Sequence, residues 1–181
     1  MNTHRSSLAL VAGGAATAVS GIVVAAGVQP MTTVDGDVWS YPWTSGTFVV
    51  ISLLWAVLHA LVIVGLLALP RARIAIAGTA LLLIGELASI PVRDSVWDDA
   101  SVLVVAAEYA LGGAVSAIGF LVAARAAHGP QRLWLNVTGI WMVVLLCLGM
   151  IGMVALGVAG YGLCLFAVGA TMQPNLRAQP A

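Results

Sequence analysis

Three ionisable side chains interrupt otherwise uncharged apolar stretches of this chain: Glu86, Glu108 and His59. Charge within a bilayer is costly, so such groups turn toward a bundle interior or a water-filled cavity and mark ion or proton pathways. Around Glu86, the residues Thr79, Glu86, Ser89 and Arg93 recur at intervals of seven, three and four, which stacks them on one helical face. Ser101, Glu108, Gly112, Ser116 and Gly119 repeat that pattern in the following stretch. By helical rise the glutamates lie about 9 Å and about 11 Å from the connection between the two stretches, so they could meet across an antiparallel pair. Two carboxylates brought together in a low dielectric share a proton or draw in a cation. The competing expectation is that each glutamate hydrogen-bonds serines, threonine or Arg93 and only fixes helix packing.

His59 falls near the middle of another apolar stretch, about 18 Å in by helical rise, with Ser52 and Trp55 on its face at i−7 and i−4. A buried imidazole can shuttle protons, ligate a metal or donate to a backbone carbonyl. The candidate ligand-binding set is therefore His59, Glu86, Glu108, Trp55, Ser89 and Ser116. His59, Glu86 and Glu108 have the ligand types for zinc but no spacing signature. A bis-histidine haem is disfavoured because His4 and His128 belong to a tail and a loop. Cys147, Met150 and Met153 follow one another at i+3 and are soft donors of the kind that suit Cu(I), but the same residues are ordinary core fillers. No metal, cofactor or catalytic residue is assigned.

The elements that must position these groups follow from composition. The chain of 181 residues is 61% hydrophobic and 8% charged, against about 25% charged in a soluble domain, so lipid is the expected solvent. A span needs about 20 apolar residues, and the sequence predicts an all-α, polytopic transmembrane bundle with spans near 8–28, 47–69, 73–92, 101–124, 133–151 and 154–172. The last apolar stretch, Leu133 to Met172, would make one helix about 60 Å long, twice the hydrocarbon thickness. It therefore divides somewhere between Gly149 and Gly162, giving six spans, with five as the alternative. All seven prolines fall at or beyond the ends of apolar stretches, where a missing amide costs least. Ser45 is a candidate cap for the second helix and Asp98 or Asp99 for the fourth. Cys147 and Cys164, both in apolar spans, read as core residues with no redox motif.

There is no lysine, and the arginines set the orientation: Arg5, Arg71, Arg73, Arg125 and Arg132 alternate with acidic connections holding Asp35, Asp37, Asp94, Asp98 and Asp99. The basic sides, with both termini, are expected in the cytoplasm. A cleaved signal peptide over 1–28 fits less well, because the apolar run exceeds the 7–15 residues, roughly, of a signal core. The first outer connection carries Asp37, Trp39, Tyr41 and Trp43, and with Arg93 these are candidates for an outer mouth. The simplest expectation for the rings is an interfacial belt at headgroup level, with a lid over the bundle as the alternative.

The run Asp37-Val38-Trp39-Ser40-Tyr41-Pro42-Trp43, followed by Thr47-Phe48-Val49-Val50 and the mid-span His59, resembles a group of small multi-pass membrane proteins of high-GC bacteria. The resemblance implies a bacterial plasma membrane and six helices, and it brings no activity, cofactor or catalytic residue with it. Small residues at i, i+4 (Gly13, Thr17, Gly21, Ala25; Gly112, Ser116; Gly113, Ala117) let helices approach closely, within the bundle first and in a homo-oligomer or against a membrane-protein partner second. Asn136-Val137-Thr138 matches a glycosylation acceptor but sits at a cytoplasmic edge. Nucleophile elbows, phosphate loops, H-E-x-x-H and C-x-x-C are missing, and seven basic against seven acidic residues give no argument for nucleic acid. Three classes of function remain: binding or movement of a proton, cation or small polar ligand at an interior site; an accessory or scaffold subunit; and a lipid-binding or lipid-modifying protein.

Overall fold

The computed structural model describes residues 3–28, 38–150 and 152–172, and it is all-helical. Six helices follow in order: α1 (Thr3–Val23), α2 (Ser45–Leu66), α3 (Arg73–Ser89), α4 (Ala100–Ala124), α5 (Gly129–Met150) and α6 (Val154–Thr171). A π-helical turn, Val24–Val28, extends α1. Five of the six, with α3 as the exception, are long and apolar enough to cross a membrane. At 17 residues α3 rises about 25 Å, somewhat short of a hydrocarbon core of about 30 Å.

Helix ends follow local chemistry. Thr44, rather than the expected Ser45, caps α2, its side chain accepting from the Thr47 amide. Ser45 is turned instead to Asp94, to which it donates a hydrogen bond. Asp99 caps α4 as expected, accepting from the Ser101 amide at 2.7 Å and the Ser101 hydroxyl at 2.5 Å. Those bonds hold its carboxyl below the usual aspartate range, the side-chain bond contributing most. The long apolar stretch breaks between Met150 and Val154, where Gly152 adopts φ 73°, a conformation open to glycine at no steric cost. Upstream, α5 begins before the apolar run, because Pro130 belongs to its first turn, where its missing amide is harmless.

Each helix packs on its neighbours in the chain, and α1 against α6 closes the series into a ring. Inside the ring, Leu10, Val62, Leu66, Ala75, Leu82, Phe120, Met142 and Leu165 form one continuous core. The outer faces are apolar too, with Val19, Val50, Val104, Ile118, Ile140 and Leu163 exposed, as expected of helices that face lipid. The small-residue stripes are spent inside this ring. Gly14 and Gly21 abut the α6 backbone, Gly162 abuts Ala18, and on the α3–α4 seam Gly78 abuts Ser116 while Gly119 abuts Ala75. A methyl group at Gly119 would have no room beside the Ala75 backbone.

Candidate functional site

Glu86 stands one turn before the end of α3 and is 5% exposed. The hydroxyls of Tyr109 on α4 and Ser52 on α2 lie beside its carboxyl group, and the Tyr109 ring packs on α3 at Gly85. Ser89, one turn on, donates to the Glu86 carbonyl at 2.7 Å and lies 3.5 Å from the Ser52 hydroxyl. Tyr109 also reaches Ser89. Three helices thus deliver four hydroxyl-or-carboxyl side chains to one point, and among the described residues no basic group pairs with Glu86. Further along α2, the Trp55 indole donates at 3.3 Å to Ser20 on α1, whose own hydroxyl donates to the Thr17 carbonyl at 2.8 Å.

Two loops close over this end of the bundle. Val38 forms an antiparallel bridge with Val96, Trp39 donates its amide to the Ser95 carbonyl at 2.9 Å, and Ser40 donates to that of Arg93 at 3.0 Å. The Tyr41–Pro42 peptide bond is cis. Trp39 lies 6.2 Å from Tyr109 and 4.8 Å from Trp97, centroid to centroid, so its ring sits on the residue that lies beside Glu86. Trp43 is 4% exposed and meets Trp55 edge-on at 6.0 Å. Trp43 is turned inward and Trp39 is partly buried against Tyr109 and Trp97, whereas Tyr41 and Trp97, at 45% and 46%, keep the exposed positions. Arg93 ties down the same corner, with Nη1 on the Ile90 carbonyl at 3.0 Å and Nε 3.3 Å from Asp94. Asp37, like Asp35, lies outside the described residues.

The structure brings Glu86 and Ser89 together and places Trp55 a turn away, against Trp43. The others it leaves elsewhere. Glu108 is half-buried and makes no hydrogen bond or ion pair among the described residues, and it is not a partner of Glu86. The reason is angular: the next residue along α4, turned by about 100°, is Tyr109, and it is this side chain that faces α3. His59 is seven residues deeper than Ser52; its Nδ1 is buried toward the Trp55 carbonyl without a well-formed hydrogen bond. Ser116 is likewise seven residues beyond Tyr109, and its hydroxyl is buried without a partner. Among the described residues, no three His, Cys, Asp or Glu side chains gather as metal ligands. Cys147 is exposed and Met150 is 89% exposed, so the soft-donor trio does not converge inside.

Sequence reasoning passed over Tyr109 because it adjoins a more conspicuous acid, and used Ser52 only as a neighbour of His59. These features define a class, an α-helical membrane bundle with a hydroxyl-lined carboxyl site. Comparison with known families, with characterised proteins and with solved structures gives no match.

Proposed function

We propose that this protein binds and releases a proton at Glu86, as the coupling site of a multi-pass protein in a bacterial plasma membrane. The observation that carries this reading is the set of groups around the carboxyl. A structural glutamate in hydrocarbon is ordinarily fixed in one charge state by a basic partner, because an unpaired buried charge costs several kcal/mol. Glu86 has hydroxyls instead, from Tyr109 and Ser52. A hydroxyl donates to a carboxylate and accepts from a carboxylic acid, so the same two residues serve both forms by rotating a proton. Trp39 and Trp43 beside the site support a controlled approach from one side, and the arginine bias of the alternate connections favours the outer side for it, with both termini cytoplasmic.

The test is proton flux into liposomes holding a pH-sensitive dye, with purified protein and an imposed potential. Flux should be measurable in the wild type, lost in Glu86→Gln and preserved in Glu108→Gln. Equal flux in wild type and Glu86→Gln would remove the proposal and leave Glu86 a packing residue. Flux that requires Na⁺ or K⁺ in place of a pH gradient would assign the site to a metal cation instead. Thiol labelling of Asp98→Cys from outside only, and of Arg125→Cys from inside only, is expected for the orientation.

A further inference from the structure

A second polar cluster lies deeper in the bundle, separate from Glu86. Thr79 on α3, Ser116 on α4 and Tyr161 on α6 are 0%, 0% and 1% exposed. Thr79 donates to the Ala75 carbonyl at 2.8 Å, which leaves its oxygen as an acceptor. Tyr161 Oη lies beside Thr79 but forms no hydrogen bond of normal geometry, and Ser116 Oγ has no partner. The level is shared: Ser116 packs on Gly78, the neighbour of Thr79, and Phe120, one turn beyond Ser116, meets the Tyr161 ring at 6.3 Å.

Unpartnered hydroxyls are expensive here. Each costs about 1–3 kcal/mol in a buried setting, and in lipid no solvent reaches them from the side. Pure packing would be better served by phenylalanine and alanine at these positions. The chemistry of the set also selects its occupant: two free O–H donors and the Thr79 acceptor, with no charge on any of them, suit a small neutral molecule that both donates and accepts. An ion would find no compensating charge.

We infer that Thr79, Ser116 and Tyr161 form a water-binding site in the middle of the bundle, the inner station of a proton path that begins at Glu86. The two levels are in register. Thr79 and Glu86 are seven residues apart on α3, and Ser116 and Tyr109 are seven apart on α4, so each pair is separated by about 10 Å on one helical face. Between them Leu82 packs on Gly112, with the Leu82 amide 3.0 Å from where a Cβ of Gly112 would stand. This apolar contact separates the stations, so a proton crosses only when water threads past Leu82, which makes Leu82 the barrier. Along such a path each hydroxyl or water accepts one proton from the Glu86 side and gives up another on the far side, so no intermediate group is left charged. The relay role rests on the proton reading of Glu86; the binding of water does not.

Water-edited solid-state NMR on the full protein in bilayers separates the two. The chain has three tyrosines, at 41, 109 and 161, and three phenylalanines, so ¹³C-labelled aromatic rings are few enough to assign. Magnetisation from water should reach Tyr161 nearly as fast as exposed Tyr41 and ahead of its apolar neighbour Phe120. Ser116→Ala should slow the arrival at Tyr161, and Glu86→Gln should leave it unchanged. Arrival at Tyr161 no faster than at Phe120 in the wild type would overturn the site, whatever the flux. If water is present there but Tyr161→Phe, with its fold confirmed by unchanged spectra elsewhere, keeps full Glu86-dependent flux, the relay is overturned and the proton reading of Glu86 survives. A several-fold loss of flux in Tyr161→Phe, together with rapid water transfer in the wild type, supports both parts.

Discussion

Replacing Gly119 by alanine tests whether the α3–α4 seam is as close as the bundle requires. The added Cβ would stand 2.6 Å from the Ile74 carbonyl carbon and nearer still to the Ala75 backbone. Carbon atoms prefer about 3.5 Å or more, so α3 must withdraw by roughly 1 Å. Both obstacles are main-chain atoms, which cannot rotate away. Overpacking of this kind costs about 1–3 kcal/mol, and at about 2–4 °C per kcal/mol for a chain of this size the midpoint should fall by about 2–12 °C. Gly149→Ala provides the contrast: this glycine lies in α5 with nothing within 4 Å of an added Cβ. Alanine there should gain about 0.5–1 kcal/mol of helix propensity, a rise of about 1–4 °C. The protein carries its own reporter, since Cys164 is 5% exposed while Cys147 is accessible. In a Cys147→Ser background, a thiol-reactive dye follows unfolding through Cys164 alone. A Gly119→Ala midpoint equal to or above that of the wild type would refute the close seam, and with it the spacing that lets Tyr109 reach Glu86.

Gly152→Ala should lower the same midpoint although nothing crowds the site, because φ 73° costs an L-residue about 1–2 kcal/mol; an unchanged midpoint would mean the α5–α6 turn is otherwise shaped. Trp43→Ala should cost about 3–5 kcal/mol, as for a buried indole, whereas Tyr41→Ala should have little effect; equal losses in thermal melts would contradict an inward Trp43. Asp99 has a carboxyl below its usual range, so its capping contribution is complete above about pH 4 and disappears as acid protonates it. Hydrogen exchange at the first amides of α4 should show wild type better protected than Asp99→Asn at neutral pH, with the difference closing in acid; a difference independent of pH would remove the charge from the cap.

Composition was enough to identify a helical membrane bundle, because five helices that are apolar all round have no soluble interpretation. The location of the turn at Gly152 was less legible. Five glycines between 149 and 162 satisfy the same propensity argument, and only packing shows that Gly157 and Gly160 are taken by the Leu145 and Trp141 side chains. Glu86 was conspicuous as an isolated acid, but its partners were not, since seven-residue spacing fixes a face and leaves the helix it faces undetermined. For that reason Glu108 was paired with Glu86 by depth, while the residue one step along, Tyr109, makes the contact. Trp39 and Trp43 carry the composition of a headgroup belt, and only the fold shows Trp43 buried and Trp39 packed on Trp97 and Tyr109.

The closure of the ring by α1 against α6 has a consequence for biosynthesis. Helices enter a membrane in the order of their synthesis, so α1 arrives well before α6, its most extensive partner. Throughout that interval the notched face of Gly14 and Gly21, shaped to receive the α6 backbone, has only lipid or another protein against it. Each helix from α2 to α5 can dock on its predecessor as it emerges, but none of them completes α1. The nascent chain is thus an open arc until α6 is threaded, and the site at Glu86 on α3 is assembled before the bundle that encloses it is sealed.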